Sequence, residues 1–125
     1  MKRKVLTVDD ASTMRKMISL TLKAAGYEVV EAPDGPEALD VISRMDIDMV
    51  ILDVNMPKMS GIDVVKKVRS DIRFSQTPII MLTTETQAQV REEAKIAGAT
   101  GWINKPFKQD HLVGAVGKVF SMVPA

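Results

Sequence analysis

Five side chains that carry a charge or a reactive oxygen stand directly after short apolar runs. Asp9 and Asp10 follow residues 5–8, Asp53 follows 49–52, Thr83 follows 79–82, and Lys105, behind Asn104, follows 101–103. Taken singly, each has a bland reading. An Asp pair at the end of a strand is usually a turn or a cap. Asp53 alone reads as a loop residue, Thr83 beside Thr84 as a capping pair, and Lys105 before Pro106 as a solvated loop residue. Taken together, they place three carboxylates, a hydroxyl and an ammonium at the ends of separate strands. Clustered carboxylates repel and raise one another's pKa, so a cation among them keeps them ionised near neutral pH. An all-oxygen donor set selects a hard ion, Mg²⁺ ahead of Mn²⁺ or Ca²⁺. Such an ion keeps positions open for water and phosphate oxygens, for which Thr83 and Lys105 supply a donor and a point charge. A carboxylate beside a phosphoryl group held in this way can itself attack, forming an aspartyl phosphate.

Positioning these groups requires a sheet with all five strand ends on one edge. Apolar strand-like runs at 5–8, 27–30, 49–52, 79–82 and 101–103 alternate with helix-like stretches. The third and fourth runs are apolar without a break, and Thr7 alone interrupts the first, as expected of strands buried on both faces. The second, with Glu28 inside and Glu31 after it, reads as an edge. Between the strands lie helical stripes. Met14, Met17, Ile18, Thr21, Leu22 and Ala25 end at Gly26. Ala38, Leu39, Ile42 and Met45 follow an Asp34/Glu37 capping spacing, and Ile62, Val65 and Val68 follow Ser60. A thin fourth helix, with Thr84 and Gln87 at its start, turns Val90, Ala94 and Ala97 inward and leaves Ile96 outside before Gly98. Leu112, Val113, Val116, Val119 and Phe120 form the last stripe. Strand and helix alternating five times predict a parallel sheet with right-handed crossovers, a doubly wound α/β domain that binds ligands beyond the carboxyl ends of its strands.

Composition narrows the chemistry further. The chain has 125 residues, 46% hydrophobic and 26% charged, and 17 basic against 16 acidic residues give a formal charge of +1. This balance points away from nucleic acid as a partner. With no Cys and a single His, His111, thiolate chemistry and multi-His metal sites are excluded. No apolar run approaches the roughly 20 residues of a membrane span. The basic start, Met1 to Lys4, lacks a signal-peptide core. One domain over residues 1–125, with no output domain, in a cytoplasmic monomer, is the expectation. The Met residues read as core filler, except Met56 and Met59, which are expected to be exposed. Lys66, Lys67, Arg69 and Arg73 read as a solvated helix face.

These residues resemble the receiver domain of bacterial two-component response regulators. The resemblance runs over essentially the whole chain and rests on Val8-Asp9-Asp10, Leu52-Asp53-Val54-Asn55-Met56-Pro57 with Gly61, Leu82-Thr83-Thr84 and Lys105-Pro106-Phe107. It implies a flavodoxin-like fold with strand order 2-1-3-4-5 and a signalling switch that catalyses its own phosphorylation and dephosphorylation. Asp53 is then the phosphoacceptor, taking its phosphoryl group from a kinase phosphohistidine. Asp10, Asp53 and the Asn55 carbonyl would be direct Mg²⁺ ligands, Asp9 would act through water, and Thr83 and Lys105 would contact phosphoryl oxygens. Thr83 would couple to the switch aromatic, here Trp102, which is bulkier than the usual Tyr or Phe, and so reshape the face made by the fourth helix, fifth strand and fifth helix. A cis Lys105–Pro106 bond is also implied. Asn55 and Glu85, two residues past Asp53 and Thr83, resemble stand-alone chemotaxis regulators and would tune dephosphorylation. The implied partners are a sensor histidine kinase of chemotaxis and a flagellar motor switch protein or phosphatase. A phosphate sink, or a single-domain regulator outside chemotaxis, is the alternative.

An Asp-nucleophile phosphohydrolase uses similar groups, but it carries a second Asp where this chain has Asn55, which transfers no proton. A flavin or nucleotide binder finds no glycine-rich phosphate loop here.

Overall fold

The computed structural model describes residues 2–84 and 88–122. Five parallel strands, β1 (Lys4–Val8), β2 (Glu28–Ala32), β3 (Met49–Asp53), β4 (Ile79–Thr83) and β5 (Gly101–Asn104), form one sheet in the order β2-β1-β3-β4-β5. They alternate with α1 (Ser12–Ala24), α2 (Gly35–Arg44), α3 (Gly61–Ser70), α4 (Ala88–Ala97) and α5 (Gln109–Ser121), and a 3₁₀ turn at Ile72–Phe74 precedes β4.

Side-chain alternation along the strands sorts the core into two layers. Val5, Met49, Ile51, Ile80, Leu82 and Ile103 face α1 and α5, where Ile18, Leu22, Leu112 and Val116 are fully buried. Leu6, Val8, Val50, Leu52, Ile79 and Met81 face α2, α3 and α4. Every residue of the central strands β3 and β4 is buried, as their unbroken apolar runs predict. The β2 strand lies on one edge, also as predicted, and β5 on the other.

The helix ends follow local chemistry. The Asp34 and Ser60 side chains accept from the Glu37 and Asp63 N–H groups and so cap α2 and α3. At the end of α1, Gly26 takes φ +101°, and the Gly26 and Tyr27 N–H groups bond back to the Lys23 and Leu22 carbonyls. Gly98, at φ +111°, closes α4 by the same pattern with Ala99. This spends Tyr27 on the helix stop, so β2 begins at Glu28 and runs to Ala32 rather than spanning 27–30. Ile96 is exposed and Ala94 buried in α4, as the thin stripe predicts, while Gln87 lies outside the described residues.

Two expectations fail. Met56 is buried with the α2–α4 core, and Met59 is partly buried against it. Arg69 is no solvated lysine-like residue: its Nε donates to the Gly98 carbonyl at 3.0 Å and its Nη1 to the Phe74 carbonyl at 2.9 Å. It thereby ties α3 to the end of α4, and partial burial holds its pKa below the usual guanidinium range. Among the described residues, no helix is long and apolar enough to cross a membrane.

Candidate functional site

The parallel register brings the five chemical groups to one edge. β1 ends at Val8, opposite Leu52, so Asp9 leaves the sheet beside Asp53, the last residue of β3. Thr83 closes β4 opposite Asn104, the residue before Lys105. The Lys105 N–H donates to the Thr83 carbonyl at 2.8 Å, and the Val54 N–H to the Leu82 carbonyl at 3.0 Å, so the strand ends are tied to one another by main chain. The Lys105–Pro106 peptide bond is cis, as the resemblance implies.

Carboxylate oxygens of Asp9, Asp10 and Asp53 lie within 4.8 Å of one another. Asp9 is fully buried and Asp53 nearly so, whereas Asp10 is exposed. The Lys105 Nζ reaches Asp9 Oδ2 at 3.1 Å and Asp53 Oδ1 at 3.3 Å. The other Asp9 oxygen accepts the Ala11 N–H at 2.9 Å, which fixes the turn into α1. Arg15 of α1 donates from Nη1 to the Asp9 main-chain carbonyl at 2.7 Å and from Nε to Glu31 at 3.1 Å. Its charge is therefore paired with Glu31 rather than with the carboxylate cluster. Three carboxylates face one ammonium, a deficit of two positive charges if all are ionised.

Burial, first, pushes the Asp53 carboxyl above its ordinary pKa, and the Asp9 charge adds to the rise; the Lys105 ammonium and a hydrogen bond from the Asn55 N–H act against them. The Asn55 side chain is exposed at the rim. Close behind Asp53, Gly61 packs so tightly that a Cβ there would run into the Asp53 carbonyl oxygen and lie 2.9 Å from the Val54 Cα. Only glycine allows the β3–α3 loop to fold back on the residue it serves.

Thr83 is buried and Thr84 exposed; Glu85 lies outside the described residues. Trp102 stands on β5 opposite Met81, with 39% of its surface exposed. The structure thus gathers Asp9, Asp10, Asp53 and Lys105 into one contact cluster, with Thr83 and Asn55 on its rim, and leaves Trp102 on the outer strand. Arg91 of α4 was missed by the sequence reading. Its guanidinium lies 5.6 Å from the centre of the Trp102 ring, and its Nη2 donates to Asn104 Oδ1 at 2.8 Å. Its place three residues before the buried Ala94 was the only signal that it borders the packed face.

The model of the response regulator receiver domain matches residues 5–117. The chain is 51% identical over 107 residues to the chemotaxis protein CheY1 of Helicobacter pylori, covering 83% of this chain and 86% of that one. It is 39% identical over 121 residues to the chemotaxis protein CheY of Pseudomonas aeruginosa, covering 96% and 98%. Among solved structures, the chemotaxis protein CheY4 of Vibrio cholerae superposes with a TM-score of 0.92 at 47% identity, over 95% of this chain and 99% of that one.

Proposed function

The chain belongs to the response regulator receiver domain family and is homologous to the CheY chemotaxis regulators, and from that premise we propose that it is a phosphoaccepting switch with Asp53 as the acceptor. The observation that carries this reading is the Asp9–Asp10–Asp53 cluster with Lys105 set against two of its members. The donor set fits a hard divalent ion: every donor is an oxygen, and the charge deficit of the three carboxylates against Lys105 is that of a dication. Asp10, Asp53 and the Asn55 carbonyl would hold Mg²⁺, with Asp9 acting through water. Bound there, Mg²⁺ supplies charge neutralisation for phosphoryl oxygens.

The chain's own groups perform the rest. An Asp53 oxygen attacks the phosphorus of a kinase phosphohistidine, and the P–N bond breaks with its electron pair leaving on the imidazole. Lys105, already within reach of Asp53, follows the charge onto the transferred phosphoryl oxygens, and the Thr83 hydroxyl donates to another. The β4–β5 pairing of Thr83 with Asn104 then passes the change to β5 and Trp102. In this reading Asn55 and Glu85, two residues past Asp53 and Thr83 in the sequence, tune dephosphorylation. The partners in this reading are a chemotaxis histidine kinase upstream and, at the α4–β5–α5 face, a flagellar switch protein or a phosphatase.

Intact mass after incubation with acetyl phosphate tests the reading. It predicts one added phosphoryl group, dependent on Mg²⁺. Steady release of inorganic phosphate from small phosphate esters, with no covalent gain, would favour a hydrolase instead.

A further inference from the structure

Arg91 occupies a position that neither the phosphoacceptor chemistry nor the core explains. Its guanidinium lies against the Trp102 ring at 5.6 Å, and its Nη2 bonds Asn104 Oδ1 at 2.8 Å, so one α4 side chain grips two alternate residues of the edge strand β5. Trp102 and Asn104 point to the same side of the sheet, toward α4, because Ile103 between them packs into the opposite layer. Asn104 is in register with Thr83 and precedes Lys105, so the grip ends one residue from the cluster. The Arg91 Nε is buried and has no hydrogen-bond partner among the described residues. A buried donor without a partner raises the energy of the arrangement that holds it. The guanidinium is thus shielded from water at Nε while its bond to Asn104 stays exposed, and the arrangement is not an optimum that would resist all change.

We propose that Arg91 is a positioning residue that holds Trp102 in its outward, half-exposed orientation and keeps α4 fastened to β5, setting the resting side of the switch. This rests on the reading of Asp53 as phosphoacceptor. Any rearrangement of Trp102 that follows phosphorylation has to break the guanidinium–indole contact, and any shift of β5 past α4 has to break the Arg91–Asn104 bond. Contacts made only in the resting state oppose activation by their own free energy.

The sign of the effect separates this role from simple charge. If Arg91 merely added positive potential near the cluster, its removal would weaken the binding of an anionic phosphoryl mimic. If it holds the resting state, its removal tightens that binding. The experiment titrates beryllofluoride in the presence of Mg²⁺, read by the ¹⁹F signal of the bound species, which does not depend on Trp102 emission. Arg91→Ala is expected to lower the half-saturating concentration about three- to tenfold, the size of one cation–π contact and one hydrogen bond. Arg91→Lys, which keeps the charge without the planar fork, should recover only part of the parental value. In a Trp102→Ala background the effect of Arg91→Ala should shrink. An unchanged or higher half-saturating concentration for Arg91→Ala, or an effect undiminished without Trp102, overturns the proposal.

A second measurement needs no ligand. The protein has a single Trp, so acrylamide quenching of the resting chain reports on Trp102 alone. Arg91→Ala should alter the quenching constant, and so, through the lost anchor, should Asn104→Ala. Unchanged constants in both overturn the contact itself. Failure of the parental chain to bind beryllofluoride would instead remove the receiver reading, a result that the quenching comparison does not share.

Discussion

The Lys105 ammonium sits 3.3 Å from an Asp53 carboxylate oxygen although their strands are not neighbours, since β4 runs between β3 and β5. The reach comes from the end of β5: Lys105 is the first residue past the strand, held by its N–H on the Thr83 carbonyl. The long side chain then crosses the end of β4 to the middle of the sheet and pairs with Asp9 as well. A lysine fixed at its backbone and only 14% exposed along its side chain is committed to the acidic cluster rather than to solvent.

Removing that ammonium leaves a fully buried Asp9 and a nearly buried Asp53 without their shared counter-charge. Lys105→Ala should cost the metal-free protein about 1–3 kcal/mol at neutral pH. Mg²⁺ should restore much of that loss, because a dication offers the same neutralisation. Thermal melts with and without Mg²⁺ measure both. Mg²⁺ binding should survive in this variant, while the Trp102 fluorescence change on phosphorylation should weaken. A wild-type fluorescence response would remove Lys105 from its proposed role.

Asp53 should make stability fall as pH rises. Its carboxyl is held above the ordinary carboxylate range, so the folded chain binds this proton more tightly than the unfolded chain does. The stabilisation from this group is complete below the unfolded-state pKa near 3.8 and is lost as pH climbs through the elevated folded value. At neutral pH the ionised, metal-free site is under strain. Asp53→Asn should therefore melt higher than the parent near pH 7 without Mg²⁺. The gap should close toward acid pH. Parallel curves at all pH values would contradict the assignment.

Gly61→Ala tests the loop that serves Asp53. The new Cβ meets backbone on the Asp53–Val54 peptide, and backbone cannot swing aside as a flexible side chain can. The expected cost is about 1–3 kcal/mol, as for other overpacked sites, together with weaker Mg²⁺ binding through displacement of Asp53. Calorimetry gives both numbers from one sample. Unimpaired Mg²⁺ affinity would show that the loop gives way elsewhere.

Much of this was legible in the sequence because the signals were local or periodic. The unbroken apolar runs of β3 and β4 marked central strands, Glu28 marked an edge, and Asp34 and Ser60 announced their helices. The acidic cluster was legible because a parallel sheet carries every strand end to the same side. The misses are tertiary. Arg69 looked like any basic residue on a polar face until the end of α4 arrived to accept its hydrogen bond. Met56 was expected to be exposed because it lies in the loop after Asp53, yet the loop folds over the α2–α4 core. Tyr27 has the β-propensity of a strand residue, but the glycine turn before it claims its N–H. Arg91 could not be paired with Trp102 from one chain of letters, because nothing local sets the rotation of α4 against β5.

The central claim is that the phosphoryl group resides on Asp53. Borohydride reduction of the chain after incubation with acetyl phosphate and Mg²⁺ converts an aspartyl phosphate to homoserine, which peptide mass spectrometry can place. The account predicts homoserine at position 53, absent when Mg²⁺ is withheld. Homoserine at Asp9 or Asp10 instead, or a phosphoryl group retained by Asp53→Ala, would contradict it.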